Sequence, residues 1–185
     1  MKIVCLGDSI TYGYGVYPGE NWCDIIRKNL NVDIINKGLN GDTSSGMLFR
    51  CFDDVINLKP SSVIIMGGTN DFLMGYNITR VIDNICTIIT EMEQKSICPY
   101  LGIQIPVHST LAKKFWDSNI DYSLVNANIE DYRSKMLNFC IRYNIKFFDF
   151  YKAFKCSTEN FNSLFIDGIH PTKKGHEIMA RTISF

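Results

Sequence analysis

Five times along this chain a short apolar run of strand length gives way to a longer stretch whose apolar residues recur at helical spacing. The runs are Lys2–Leu6 (KIVCL), Val32–Asn36 (VDIIN), Ser62–Gly68 (SVIIMGG), Tyr100–Ile105 (YLGIQI) and Ile145–Phe150 (IKFFDF). Between them Trp22, Ile25, Ile26 and Leu30 share one helical face, as do Leu48, Cys51, Phe52, Val55 and Ile56 before Pro60. A long helix is predicted through Ile78, Val81, Ile85, Ile88 and Met92, and another through Ile129, Tyr132, Met136 and Cys140. A last one is predicted to start at Pro171, with Ile178, Met179 and Thr182 inside. The stretch from Val107 to Asp121 reads as polar and irregular.

Strands that alternate with helices make right-handed βαβ units and one parallel sheet covered on both faces. The run SVIIMGG is apolar on both of its faces, which predicts a central strand. No internal repeat, linker or low-complexity tract interrupts the pattern, so residues 1–185 are expected to form a single α/β domain. Strand order is not legible from periodicity.

Bulk properties narrow the function. Nineteen basic and nineteen acidic side chains cancel, which argues against a nucleic-acid partner. No apolar segment approaches the ~20 residues of a membrane span, and the N-terminal run is too short for a secretory core, so a cytoplasmic location is expected. The seven cysteines show no paired spacing of the kind zinc requires; several fall on apolar faces, and they read as small hydrophobes kept reduced. Oligomeric state has no signature here.

In open parallel sheets, ligands bind beyond the carboxyl ends of the strands. Those positions hold Gly7-Asp8-Ser9, Asn40-Gly41-Asp42, Gly68-Thr69-Asn70-Asp71 and, further on, Asp167-Gly168-Ile169-His170. A serine hydroxyl is a poor nucleophile until a base takes its proton. Of the three histidines, His176 falls within the last helix and reads as a surface or packing residue, and His108 stands in the irregular segment. His170 has Asp167 three residues earlier, close enough to accept from Nδ1 and leave Nε2 facing Ser9. Backbone N–H groups of Ser9 and Gly41 and the amide of Asn70 are candidate donors to a developing oxyanion. Asp8 is expected to make local backbone bonds, Asp71 to hold the Asn70 loop, and Asp42 and Thr43 to cap the next helix. Trp22 fits a helix core, whereas Tyr12, Tyr14, Phe115 and Trp116 are candidates for a pocket wall.

In order along the chain, GDSIT, NGDTS, GGTND and DGIHPT resemble the four sequence blocks of the SGNH hydrolases, also called the GDSL-like lipase/acylhydrolase family. The likeness runs from Gly7 to the GHEIMA helix near the end. It implies a three-layer α/β/α sandwich with a five-stranded parallel sheet, similar to flavodoxin. It implies ester hydrolysis through a serine acyl-enzyme with neither metal nor cofactor. Ser9, His170 and Asp167 match the family's nucleophile, base and acid, and Ser9, Gly41 and Asn70 its oxyanion donors. The expected substrate is a small carboxylic ester with a short, acetyl-type acyl group; a thioesterase or a lysophospholipase of the same family is the alternative. A different class also fits the first turn: a flavodoxin-like module holding a nucleotide or flavin phosphate after strand one. That reading leaves Asn70, Asp167 and His170 without a task. A metal-dependent hydrolase built on Asp8, Asp71, Asp167 and His170 would need ligand spacing that does not stand out.

Overall fold

In a computed structural model, which describes residues 1–185, the alternation becomes five parallel strands with helices on both faces. In chain order the elements are β1 (Lys2–Gly7), α1 (Ser9–Tyr12), α2 (Trp22–Leu30), β2 (Asp33–Gly38) and α3 (Ser44–Asp54). Next come β3 (Ser62–Met66), α4 (Thr69–Leu73), α5 (Ile78–Gln94), β4 (Cys98–Ile103) and α6 (Ser109–Phe115). The chain ends with α7 (Tyr122–Tyr143), β5 (Lys146–Asp149), α8 (Phe150–Lys155) and α9 (Lys173–Thr182).

The two faces of the sheet are separated by the period of two along each strand. Val4 and Leu6 of β1, Val63 and Ile65 of β3, and Leu101 and Ile103 of β4 face one layer, where α3, α5 and α7 bring Met47, Ile85 and Tyr132. Ile3, Cys5, Ile64, Met66 and Tyr100 face the other, against Trp22 of α2, Phe154 of α8 and Met179 of α9. Every residue of β3 is buried, as a strand apolar on both faces should be.

The strand order is β2-β1-β3-β4-β5. It reverses between β1 and β3, and at such a switch point a crevice opens beyond the strand ends. Gly7 pairs with Met66 across that boundary, so the turns carrying Ser9 and Asn70 leave the sheet side by side.

Local boundaries differ from the sequence pattern in instructive ways. The segment expected to be irregular contains α6, capped by the His108 ring, which accepts from Leu111 N–H at 3.3 Å. Its seven residues carry too few apolar positions to show a helical period, and so short a helix depends on tertiary contact. Pro171 does not begin the last helix. Thr172 caps it, and Pro171 instead bridges to Phe165. The N-cap of α3 is Thr43, whose hydroxyl accepts from Gly46 N–H, while the Asp42 carboxylate accepts from Thr43 N–H and pairs with Arg50.

Candidate active site

The site grows from the tight turn after β1. Asp8 caps α1, its Oδ1 accepting from Ile10 N–H at 2.9 Å, and this sets Ser9 as the first helical residue. A residue in that position has no carbonyl one turn earlier in its helix for its own N–H. Asp8 is fully enclosed, and burial pushes its carboxyl up to about 6, against the lowering pull of Ile10 N–H and of His170. Its second oxygen has no partner.

From the opposite end of the sequence, the loop before α9 brings His170 to this turn. His170 Nε2 lies 2.9 Å from Ser9 Oγ. Its Nδ1 lies 2.7 Å from Asp167 Oδ2. A carboxylate only accepts, so Nδ1 carries the proton and Nε2 presents its lone pair to the serine hydroxyl. The other Asp167 oxygen accepts from the N–H groups of Ile169 and His170, both at 2.9 Å. Burial alone would raise the Asp167 carboxyl. The hydrogen bonds from the His170 ring and from these backbone groups outweigh it and hold the carboxyl below its ordinary range. Gly168 permits the tight loop, at a φ of 96° and with His108 O 2.7 Å from where a Cβ would stand. Ser9 and His170 are only 6% and 3% exposed.

Two further loops face the serine turn. Gly41 follows β2 with a φ of 76°, and no atom lies within 4 Å of where its Cβ would be. Its N–H makes no hydrogen bond within the chain. Asn70, in α4, donates one of its two amide hydrogens to Asp42 O at 2.8 Å, which leaves the second unused. Asp71 beside it accepts from Ser44 N–H at 2.8 Å and Ser44 Oγ at 2.7 Å, tying α4 to the start of α3. That matches its expected part as the holder of the Asn70 loop.

Sequence reasoning missed Arg50. Its guanidinium pairs with Asp42 and Asp54, both at 2.7 Å, and donates to the carbonyls of Gly7 at 2.8 Å and Lys37 at 2.9 Å. One side chain thus joins the ends of β1 and β2 to the Gly41 loop. The (i, i+4) pairing with Asp54 was a visible sign; the carbonyl contacts were not.

The other candidates sort cleanly. Tyr14 and Trp116 pack against the His170 ring, with centroids 4.4 and 5.3 Å away. Tyr12 and Phe115 are exposed, the latter under Lys114. Trp22 is core. His108 is engaged by Asn162 at 2.6 Å, and His176 is wholly buried in α9. No helix is long and apolar enough to cross a membrane.

A parallel sandwich of this strand order, with Asp167, His170 and Ser9 in line at its switch point, defines an open α/β fold that carries a candidate nucleophile and base. The chain belongs to the GDSL-like Lipase/Acylhydrolase family, whose sequence model matches residues 5–178. A solved member of the lipolytic G-D-S-L family from Veillonella parvula is 26% identical, with a TM-score of 0.83, and the match covers 98% of this chain and 95% of that one. The esterase TesA of Pseudomonas aeruginosa is 28% identical over 110 residues, 56% of this chain and 55% of TesA. YqeF of Bacillus subtilis, an uncharacterised lipoprotein, is 32% identical over 118 residues, 57% of this chain and 49% of its own length. These matches thus span about half the length of the curated relatives.

Proposed function

We propose that residues 1–185 form one catalytic unit, a serine esterase that cleaves small carboxylic esters through an acyl-enzyme. The observation that carries this reading is the continuous chain from Asp167 through His170 to Ser9, at 2.7 and 2.9 Å. Ser9 Oγ attacks the ester carbonyl carbon while its proton moves to His170 Nε2. Asp167 orients the ring and stabilises the imidazolium that forms. The N–H groups of Ser9 and Gly41 and the free amide hydrogen of Asn70 receive the oxyanion. When the tetrahedral intermediate collapses, the bond to the alcohol oxygen breaks and His170 returns the proton to it. Water then attacks the acyl-serine with the same assistance. The acid leaves, and Ser9 regains its hydrogen.

Family membership and the esterase name of TesA support the reaction class. A serine that is almost closed off supports short, acetyl-type acyl groups. A phosphate-binding first turn is disfavoured because the Asp8 carboxylate already occupies Ile10 N–H and would oppose an anion there.

The test is hydrolysis of p-nitrophenyl acetate, butyrate and octanoate by wild type and Ser9→Ala, with chelator present. Acetate should be the fastest, and its turnover should vanish in the variant. Equal rates for the two proteins would remove Ser9 as nucleophile.

A further inference from the structure

Tyr14 and Trp116 are placed oddly for packing residues. They cover a ring that is 3% exposed, yet Tyr14 is itself 43% and Trp116 48% exposed. Core aromatics bury both faces; these two pack on the imidazole and still leave much of their surface open.

Both are held in place by the fold. Tyr14 N–H donates to Ser9 O at 3.0 Å, so the tyrosine is tied to the serine turn itself. Trp116 ends α6, with its N–H on Ala112 O at 2.9 Å. That helix is seated on the histidine loop by His108 N–H, which donates to Gly168 O at 2.7 Å.

The direction of the reaction says which half of a substrate they meet. The ester carbonyl oxygen points to Gly41 and Asn70, on the loops after β2 and β3. The leaving oxygen must reach His170 Nε2 for its proton. Side chains packed on the imidazole therefore border the alcohol half.

On the hydrolase reading above, we infer that Tyr14 and Trp116 form a leaving-group subsite that selects alcohols presenting a flat ring face. An aryl ring and the apolar face of a sugar ring share that chemistry. Their stacking holds the alcohol oxygen in line with Nε2. Two aromatic contacts of ordinary strength favour a ring-bearing alcohol over an open chain of similar size by about 10-fold in kcat/KM.

The experiment compares benzyl acetate, methyl 6-O-acetyl-glucoside and n-hexyl acetate. The proteins are wild type, Tyr14→Leu, Trp116→Leu and the ring-retaining Tyr14→Phe and Trp116→Phe. At least one ring ester should exceed hexyl acetate by about 10-fold, and which one does so names the source of the ring. Each leucine variant should lose most of that preference, and each phenylalanine variant should keep it. Equal losses on all three esters, or no preference in wild type, would overturn the subsite.

A second readout needs no turnover. Trp116 is one of two tryptophans, and the other, Trp22, is fully buried. Benzyl alcohol or methyl glucoside titrated into Ser9→Ala should change the emission saturably, and the change should disappear with Trp116→Phe. Absence of a saturable change would overturn the subsite whether or not the protein hydrolyses esters. Loss of all Ser9-dependent hydrolysis beside an intact titration would overturn the hydrolase reading alone.

Discussion

The Asn70 side-chain amide donates to the Asp42 carbonyl at 2.8 Å, linking the loop after β3 to the loop that carries Gly41. This bond keeps two of the three proposed oxyanion donors in register and fixes which Asn70 hydrogen remains free. Preorganisation of that kind matters in the transition state and little in the ground state. Asn70→Ala should therefore lower kcat by about 10²–10³ with KM almost unchanged, as steady-state kinetics on p-nitrophenyl acetate would read. A rise in KM at constant kcat would place Asn70 in substrate binding instead.

Arg50 should matter to stability and activity together. Its side chain is 14% exposed and its partner Asp42 only 6%, so removing the guanidinium leaves a carboxylate and two backbone carbonyls short of donors. Arg50→Ala should cost about 3–5 kcal/mol in denaturant unfolding. Arg50→Lys should rescue little, because an ammonium cannot serve four acceptors with the planar fork. A loss under 1 kcal/mol in urea titration would show the network to be ornamental.

Asp8 offers a gain. Its carboxyl is raised from 3.8 to about 6 by burial, so the folded state holds its proton more tightly than the unfolded chain does. The sign follows: stability falls as pH rises through that window, and the penalty is complete above it. Asp8→Asn keeps the oxygen that caps Ile10 and removes the charge. It should stabilise the protein at pH 8 by up to about 3 kcal/mol and by almost nothing at pH 3.5. Thermal melts at the two pH values decide it; a pH-independent difference would refute the linkage.

His176 works the other way. Burial lowers its imidazole from 6.5 to about 3, with His170 adding to the effect and Glu20 opposing it. Its Nδ1 accepts from Trp22 N–H at 3.3 Å, which requires the neutral ring. The unfolded chain binds the proton first as pH falls, so the protein loses stability below about pH 6.5. At pH 4.5 this amounts to about 2–3 kcal/mol. His176→Asn places an acceptor near Nδ1 and cannot titrate. It should be less stable than wild type at pH 7, and the gap should narrow by that amount at pH 4.5 in calorimetry.

Much of the fold was legible because periodicity is local. β3 could be recognised as central from SVIIMGG, since a strand apolar on both of its faces is covered on both. The long α5 and α7 declared themselves through repeated isoleucine, tyrosine and methionine positions. Short elements did not: α1, α4 and α6 carry at most seven residues, and a turn or two of helix is held by what it packs on. The site residues were legible as chemistry, because few side chains other than Ser9, Asn70, Asp167 and His170 stand after strands with something reactive to offer. Arg50 was not, since two of its four acceptors are backbone carbonyls, which carry no residue identity.

By itself the sequence determined which segments became strands and long helices, which faces they buried, and which reactive groups gathered at one end of the sheet. The tertiary structure alone decided the order β2-β1-β3-β4-β5 and, with it, that Ser9 meets a histidine 161 residues away at 2.9 Å. It also decided that Tyr14 and Trp116 lie on that histidine and that one arginine braces the loops around it. The physical reason is that burial patterns depend on neighbours in the chain, whereas distances between loops depend on how the whole sheet is assembled.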